Sequence, residues 1–178
     1  MAAPHMQAKR PVAAWLTGPY GHPFHPILVN IPIGAWVASL IFDLGSHLVD
    51  DPAPLAEGSR WLIAIGVLGA LAAAMVGFLD FFAIPPGTGA WRTALLHMVL
   101  NLTLTAAYAG QFFWRPDNPT GAVGAGPIAV SIASLAVLSL SGYLGGELAF
   151  RYGVRVASED TQLEGFTVQP RPETNKDV

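Results

Sequence analysis

Residues 93–114, TALLHMVLNLTLTAAYAGQFFW, form an apolar run long enough to cross a bilayer, yet polar side chains recur along one side of it. His97, Asn101, Thr105, Tyr108 and Gln111 follow one another at steps of four, four, three and three residues. That is the period of one face of an α-helix. A polar group in hydrocarbon costs free energy unless another group satisfies it, so this face must look into a helical bundle rather than into lipid. His97 is then an ionisable group inside a spanning segment, the kind of residue that marks a functional site or a hydrogen bond between helices.

Three further stretches can pack against it. Only 12% of the chain is charged against 52% hydrophobic, where a soluble domain carries about a quarter charged residues. The deficit is concentrated at about residues 27–49, 61–84, 93–114 and 127–150, each more than 20 residues long, and ~20 residues span ~30 Å of hydrocarbon. The expected fold is all-α: a polytopic membrane four-helix bundle over residues 22–156. A polar N-terminal lead (1–21) and a soluble, flexible C-terminal tail (157–178) flank it. Prolines break the lead, which has no apolar run of its own, so the first spanning helix is expected to act as the insertion signal. Trp15 and Tyr20 suit a membrane interface. No internal repeat is evident.

Local signals refine this outline. Pro26 fits the first turn of helix 1, and Pro32 removes a bond to the Leu28 carbonyl, which should bend that helix. Helix 2 carries small residues at Gly66, Ala70, Ala73 and Gly77, with Asp80 on the same stripe, a pattern that lets membrane helices approach closely. Residues 50–60 read as an acidic loop. Five basic residues (Lys9, Arg10, Arg92, Arg151, Arg155) share the side of the termini, against Arg60 and Arg115 on the other. This bias predicts an inner-membrane protein with both termini in the cytoplasm.

Net charge is −3 with no basic block, which argues against nucleic acid as a partner. The absence of cysteine removes disulfides, thiolate chemistry and cysteine-held clusters. No nucleophile elbow, phosphate loop or dinucleotide fingerprint is present, so the chain reads as an electron carrier, transport or structural protein rather than an enzyme.

Antiparallel folding gathers polar residues in one leaflet: His22 and His25 with Asn30 on helix 1, Asp80 on helix 2, His97 and Asn101 on helix 3, Glu147 on helix 4, and Arg92 and Arg151 at the rim. Two imidazoles at matching depth, His97 with His25 ahead of His22, can ligate a b-type haem from both faces. Gly77, Gly142 and Gly145 would then admit the flat ring, and Arg92 and Arg151 would meet its propionates. Alternatively His22, His25, His97, Asp80 and Glu147 form a mixed N/O site for zinc or iron, or carry protons or a coupled solute. A third reading is a structural subunit with no cofactor. In that case Glu147 and Arg151 are a helix-end ion pair, Asp80 and Arg92 brace a loop, and Asn30 or Asp80 bonds His97. In the other leaflet Asp43 and His47, at i and i+4, would satisfy one another. The bilayer is the expected surrounding, and a homo-oligomer is compatible with the chain.

The run Gly21-His22-Pro23-Phe24-His25-Pro26, then Ile31-Pro32-Ile33, Gly77-Phe78-Leu79-Asp80, Ile84-Pro85, Arg92, and Leu96-His97 with Asn101 resembles the bacterial membrane family catalogued as domain-of-unknown-function family 2231. The ending Gly145-Gly146-Glu147-Leu148 through Gly153-Val154 resembles that family's closing motif. The resemblance covers roughly residues 22–156 and implies four helices with no settled activity. Some relatives carry a Rieske-type iron–sulfur domain, which implies a redox partner or larger membrane complex and favours haem. Relatives often have His where Tyr152 stands and Gly where Arg155 stands, so no ligand role carries over to Tyr152.

Overall fold

The computed structural model describes residues 4–166, and these contain helices but no strand. In order they are α1 (Pro4–Lys9), α2 (Ala14–Thr17), α3 (His25–Leu28), α4 (Asn30–Gly45), α5 (Ala53–Phe81), α6 (Gly89–Trp114), α7 (Ala125–Gly146), which runs on through a π-helical turn (Glu147–Arg151), and α8 (Glu159–Glu164). Four stretches are long and apolar enough to cross a membrane: His25–Gly45, Ala53–Phe81, Gly89–Trp114 and Ala125–Arg151.

The first span breaks at Val29, between α3 and α4, where Pro32 leaves the Leu28 carbonyl without its donor. The second begins eight residues before Trp61. Pro52 and Pro54 flank its start, where a missing N–H costs nothing, so residues 53–60 are two helical turns rather than loop. The third starts at Gly89 because the Thr88 hydroxyl caps it, accepting from the Trp91 N–H at 3.1 Å.

The four spans form a ring in which α4 packs on α5, α5 on α6, α6 on α7 and α7 back on α4. The first and third spans therefore run parallel on the bundle diagonal, and three layers of side chains meet across it. His25 faces His97 with ring centres 6.3 Å apart. Trp36 stacks on Tyr108 at 4.2 Å with planes 10° apart. Asp43 takes both terminal nitrogens of Arg115, at 2.6 and 2.7 Å. In every layer the partners lie 72 residues apart, as do the buried pairs Pro32/Leu104 and Ser39/Gln111. On the other diagonal, buried Ile63, Gly66 and Ala73 of α5 answer Ser131, Ser134 and Ser141 of α7, each 68 residues on. The chain is thus two helical hairpins related by an axis along the bundle, one of the repeat arrangements membrane proteins use. The repeat preserves burial and role, but residue identity at only a few positions such as His25/His97 and Gly77/Gly145, which is why the amino-acid string hides it.

Close packing holds the middle layer, since membrane helices gain little from apolar contact alone. Trp36, Ile63, Leu104 and Tyr108 form the core, and Trp36 lies so near α5 that a Cβ on Gly66 would sit 2.2 Å from its indole nitrogen.

The far layer corrects the expected Asp43–His47 pair. Asp43 is fully buried on Arg115 and Ser59, while Arg115 also donates to Gln111 Oε1 at 3.0 Å and Gln111 donates to Ser131. His47 instead reaches the Val123 carbonyl at 2.8 Å. The end of α6 carries a guanidinium to Asp43 across the diagonal, and its paired donors match a carboxylate better than one imidazole does. Arg60 pairs with Asp117 and lies over the Phe112 ring.

The described part of the N-terminal lead is docked. Ala8 and Thr17 are buried, the Ala8 carbonyl accepts from the Arg155 N–H at 2.9 Å, and the Ser158 N–H donates to the Tyr20 phenol oxygen at 2.7 Å. Hydrogen bonds to Ser158 hold the Tyr20 pKa below its ordinary value. Gly153 (φ 66°) and Arg155 (φ 60°) turn the chain after the fourth span back under the lead. Of the expected C-terminal tail, residues 167–178 lie outside the described residues.

Candidate imidazole site

His25 enters at the first residue of α3, and its Nδ1–H donates to the Ala73 carbonyl of α5 at 2.8 Å. His97, two turns into α6, does the same to the Ser141 carbonyl of α7 at 2.8 Å. A glycine four residues beyond each carbonyl makes room. A Cβ on Gly77 would lie 2.8 Å from the His25 ring, and one on Gly145 would lie 3.1 Å from that of His97. The repeat therefore delivers one imidazole per hairpin, each resting on a glycine of its own hairpin's second helix.

This bonding fixes the tautomer. A carbonyl only accepts, so both rings carry their proton on Nδ1 and, when neutral, keep the lone pair on Nε2. Nε2 of His25 has no hydrogen-bond partner among the described residues. Nε2 of His97 lies 3.3 Å from Asn101 Nδ2. That amide has two hydrogens and two nearer acceptors, Ser141 Oγ at 2.7 Å and the His97 carbonyl at 2.8 Å. The shorter contacts take the protons, leaving this lone pair weakly held as well. The two ring planes stand 78° apart.

The other residues singled out from the sequence go elsewhere. His22 is exposed and donates to the Tyr20 carbonyl at 3.4 Å, held in its own turn. Asn30 is exposed and bonds the Pro26 and Ile27 carbonyls, because the break at Val29 leaves local acceptors within reach; it does not meet His97. Asp80 pairs with Arg155 at 2.9 Å rather than with Arg92, which is exposed. Glu147 and Arg151 do form the helix-end pair, at 2.7 Å with Arg151 largely in solvent. Among the described residues no three His, Asp or Glu side chains come close enough to share a metal ion, so the mixed site of His22, His25, His97, Asp80 and Glu147 does not assemble. Its carboxylates are committed to arginines at the surface end, beyond the imidazole layer. Gly142 has open space where a side chain would stand, so it lines the outside of the bundle instead of admitting a ring.

Sequence reasoning missed Arg155, the Ala73 carbonyl and the Ser141 carbonyl. Ser141 has a weak signal, since Ser131, Ser134 and Ser141 recur at helical spacing in its helix. A backbone carbonyl has none, and Arg155 stood out only as one of five basic residues on the side of the termini.

Four membrane-length helices around a partly buried pair of imidazoles define the class: a small polytopic α-helical membrane protein with a bis-histidine layer. The chain matches the family described as predicted membrane protein (DUF2231) over residues 21–158, and it belongs to that family. No curated protein matches the chain, and no solved structure does.

Proposed function

We propose that this is a membrane redox protein in which His25 and His97 ligate one b-type haem and pass single electrons. The observation that carries the reading is the pair of Nδ1-anchored imidazoles with centres 6.3 Å apart. With Nδ1 of each ring held by a backbone carbonyl, His25 and His97 would be the residues to hold such an iron, each through Nε2. Anchoring Nδ1–H on a backbone carbonyl is also the usual way a ligating imidazole is oriented and made more basic. When bound, the iron would supply one-electron chemistry; the chain would supply the two donors. Both bonds being histidine, the group would serve electron transfer rather than substrate binding.

A carrier reading is weaker, because the Trp36–Tyr108 stack and the Asp43–Arg115 pair occupy the axis beyond the histidines. The electron partner would be an iron–sulfur protein or a larger membrane complex. Protein purified from cells supplied with haem should show a Soret band and reduced-minus-oxidised α and β bands of a low-spin haem. A preparation with none of these removes the reading.

The imidazole layer lies toward the end that carries both termini, which the charge bias assigns to the cytoplasmic side of the inner membrane. Without native cysteines, single cysteines report this directly. Ser59, nominally in the first loop, is fully buried on Asp43 and unsuitable; Asp51, Thr120 and Glu164 are exposed. Maleimide added to intact cells should label Asp51→Cys and Thr120→Cys, with Glu164→Cys labelled only after permeabilisation. The inverse pattern would place the site at the periplasmic face.

A further inference from the structure

We propose that Arg155 receives a carboxylate of the planar cofactor held between His25 and His97, an assignment that rests on the haem reading above. The Arg155 side chain is nine-tenths or more buried, with relative exposure of 4%. Its Nη2 donates to the Thr17 and Gly18 carbonyls, both at 2.8 Å, and its Nε stands 2.9 Å from Asp80 Oδ1. Its Nη1 has no hydrogen-bond partner. A guanidinium is always charged and presents its donors as a planar fork, so a buried terminal nitrogen left open is the shape of a carboxylate half-site.

The location matches. Asp80 follows Gly77, on which His25 rests, by three residues, so the ion pair lies roughly 5 Å nearer the bundle end than the imidazole layer. A haem carries both carboxylates on one edge, and only one direction along the axis can receive them. Toward the middle of the bundle stand Trp36, Ile63, Leu104 and Tyr108, which offer no cation. Toward the end stand Arg155 and, on the docked lead, Lys9, whose Nζ lies 3.5 Å from the Ala157 carbonyl. With Asp80 already drawing on Arg155, the second cation helps to balance an added carboxylate. Arg92 and Arg151, the cations the sequence suggested, are exposed, and Arg151 is taken by Glu147.

The test compares haem with its iron dimethyl ester, which has no free carboxylate, each titrated into the cofactor-free full-length protein in detergent and read at the Soret band. Wild type should prefer haem by roughly 10- to 100-fold, the worth of a charge-assisted hydrogen bond. Arg155→Met should lose that preference through weaker haem binding while its affinity for the diester is unchanged. Arg155→Lys keeps the charge but loses the fork, and should retain only part of the preference, which covers the case in which Arg155→Met does not fold. Equal affinities in wild type, or a full preference in Arg155→Lys and in any Arg155→Met that folds, would overturn this assignment while leaving the haem reading intact. Binding of neither porphyrin by folded wild type would overturn both.

Discussion

His25→Ala and His97→Ala should each abolish the low-spin haem spectrum while the protein still inserts in the membrane. Each imidazole is the sole donor that its hairpin brings to the layer, and neither Asp80 nor Glu147 is free to replace it. Losing either imidazole would remove one of the two donors proposed for the iron, and that loss would be plain in a visible spectrum normalised to protein. His47→Ala, whose ring reaches Val123 in the other half of the bundle, and His22→Ala, whose ring is exposed, should leave the spectrum unchanged. The Nδ1 bonds to Ala73 and Ser141 also tie helices together, so a purely structural role makes a different prediction. His97→Ala would then lower the yield of folded protein and change nothing per molecule. Equal loss from His47→Ala would move the site to the opposite half of the membrane.

Breaking the Asp43–Arg115 pair should cost about 3–5 kcal/mol, because either single removal strands a buried charge. Asp43 has relative exposure of 0% and Arg115 of 5%, with Ser59 and Gln111 completing the cluster. Arg115→Met and Asp43→Leu should each lower the unfolding midpoint sharply when helix content in detergent is followed against denaturant. The double variant should recover most of the loss, since an apolar pair of similar volume needs no compensating charge. A single variant within about 1 kcal/mol of wild type would put the pair among those that contribute little. Haem ligation should survive in whatever fraction stays folded, since the pair and the imidazoles lie 18 residues apart on each helix.

The four spans were legible because hydrocarbon imposes a length and an apolar composition that few other structures share. The polar face of the third span was legible too, and its inward orientation holds: Tyr108 and Gln111 are buried, and Asn101 bonds Ser141 of the neighbouring helix. The helix starts were read late at residues 61 and 93. Prolines at the head of α5 and a threonine cap before α6 continue helices into polar sequence, where hydropathy gives no guide.

Partners were read less well than elements. Asp43 with His47 and Asp80 with Arg92 are near in sequence or at a shared loop, and both gave way to arginines from far along the chain, Arg115 and Arg155. Sequence alone was enough for the number of spanning helices, the polar face of the third, and the shared depth of His25 and His97. The parallel diagonal that makes those histidines neighbours arises only when four helices close into a ring, which no single helix encodes. The tautomer of each imidazole depends on a backbone carbonyl, which every residue has. A docked lead buries Arg155, though nothing in its local composition distinguishes it from a solvated tail. Period and hydropathy are properties of one helix at a time, whereas pairing depends on which helices touch, and tertiary packing alone decides that.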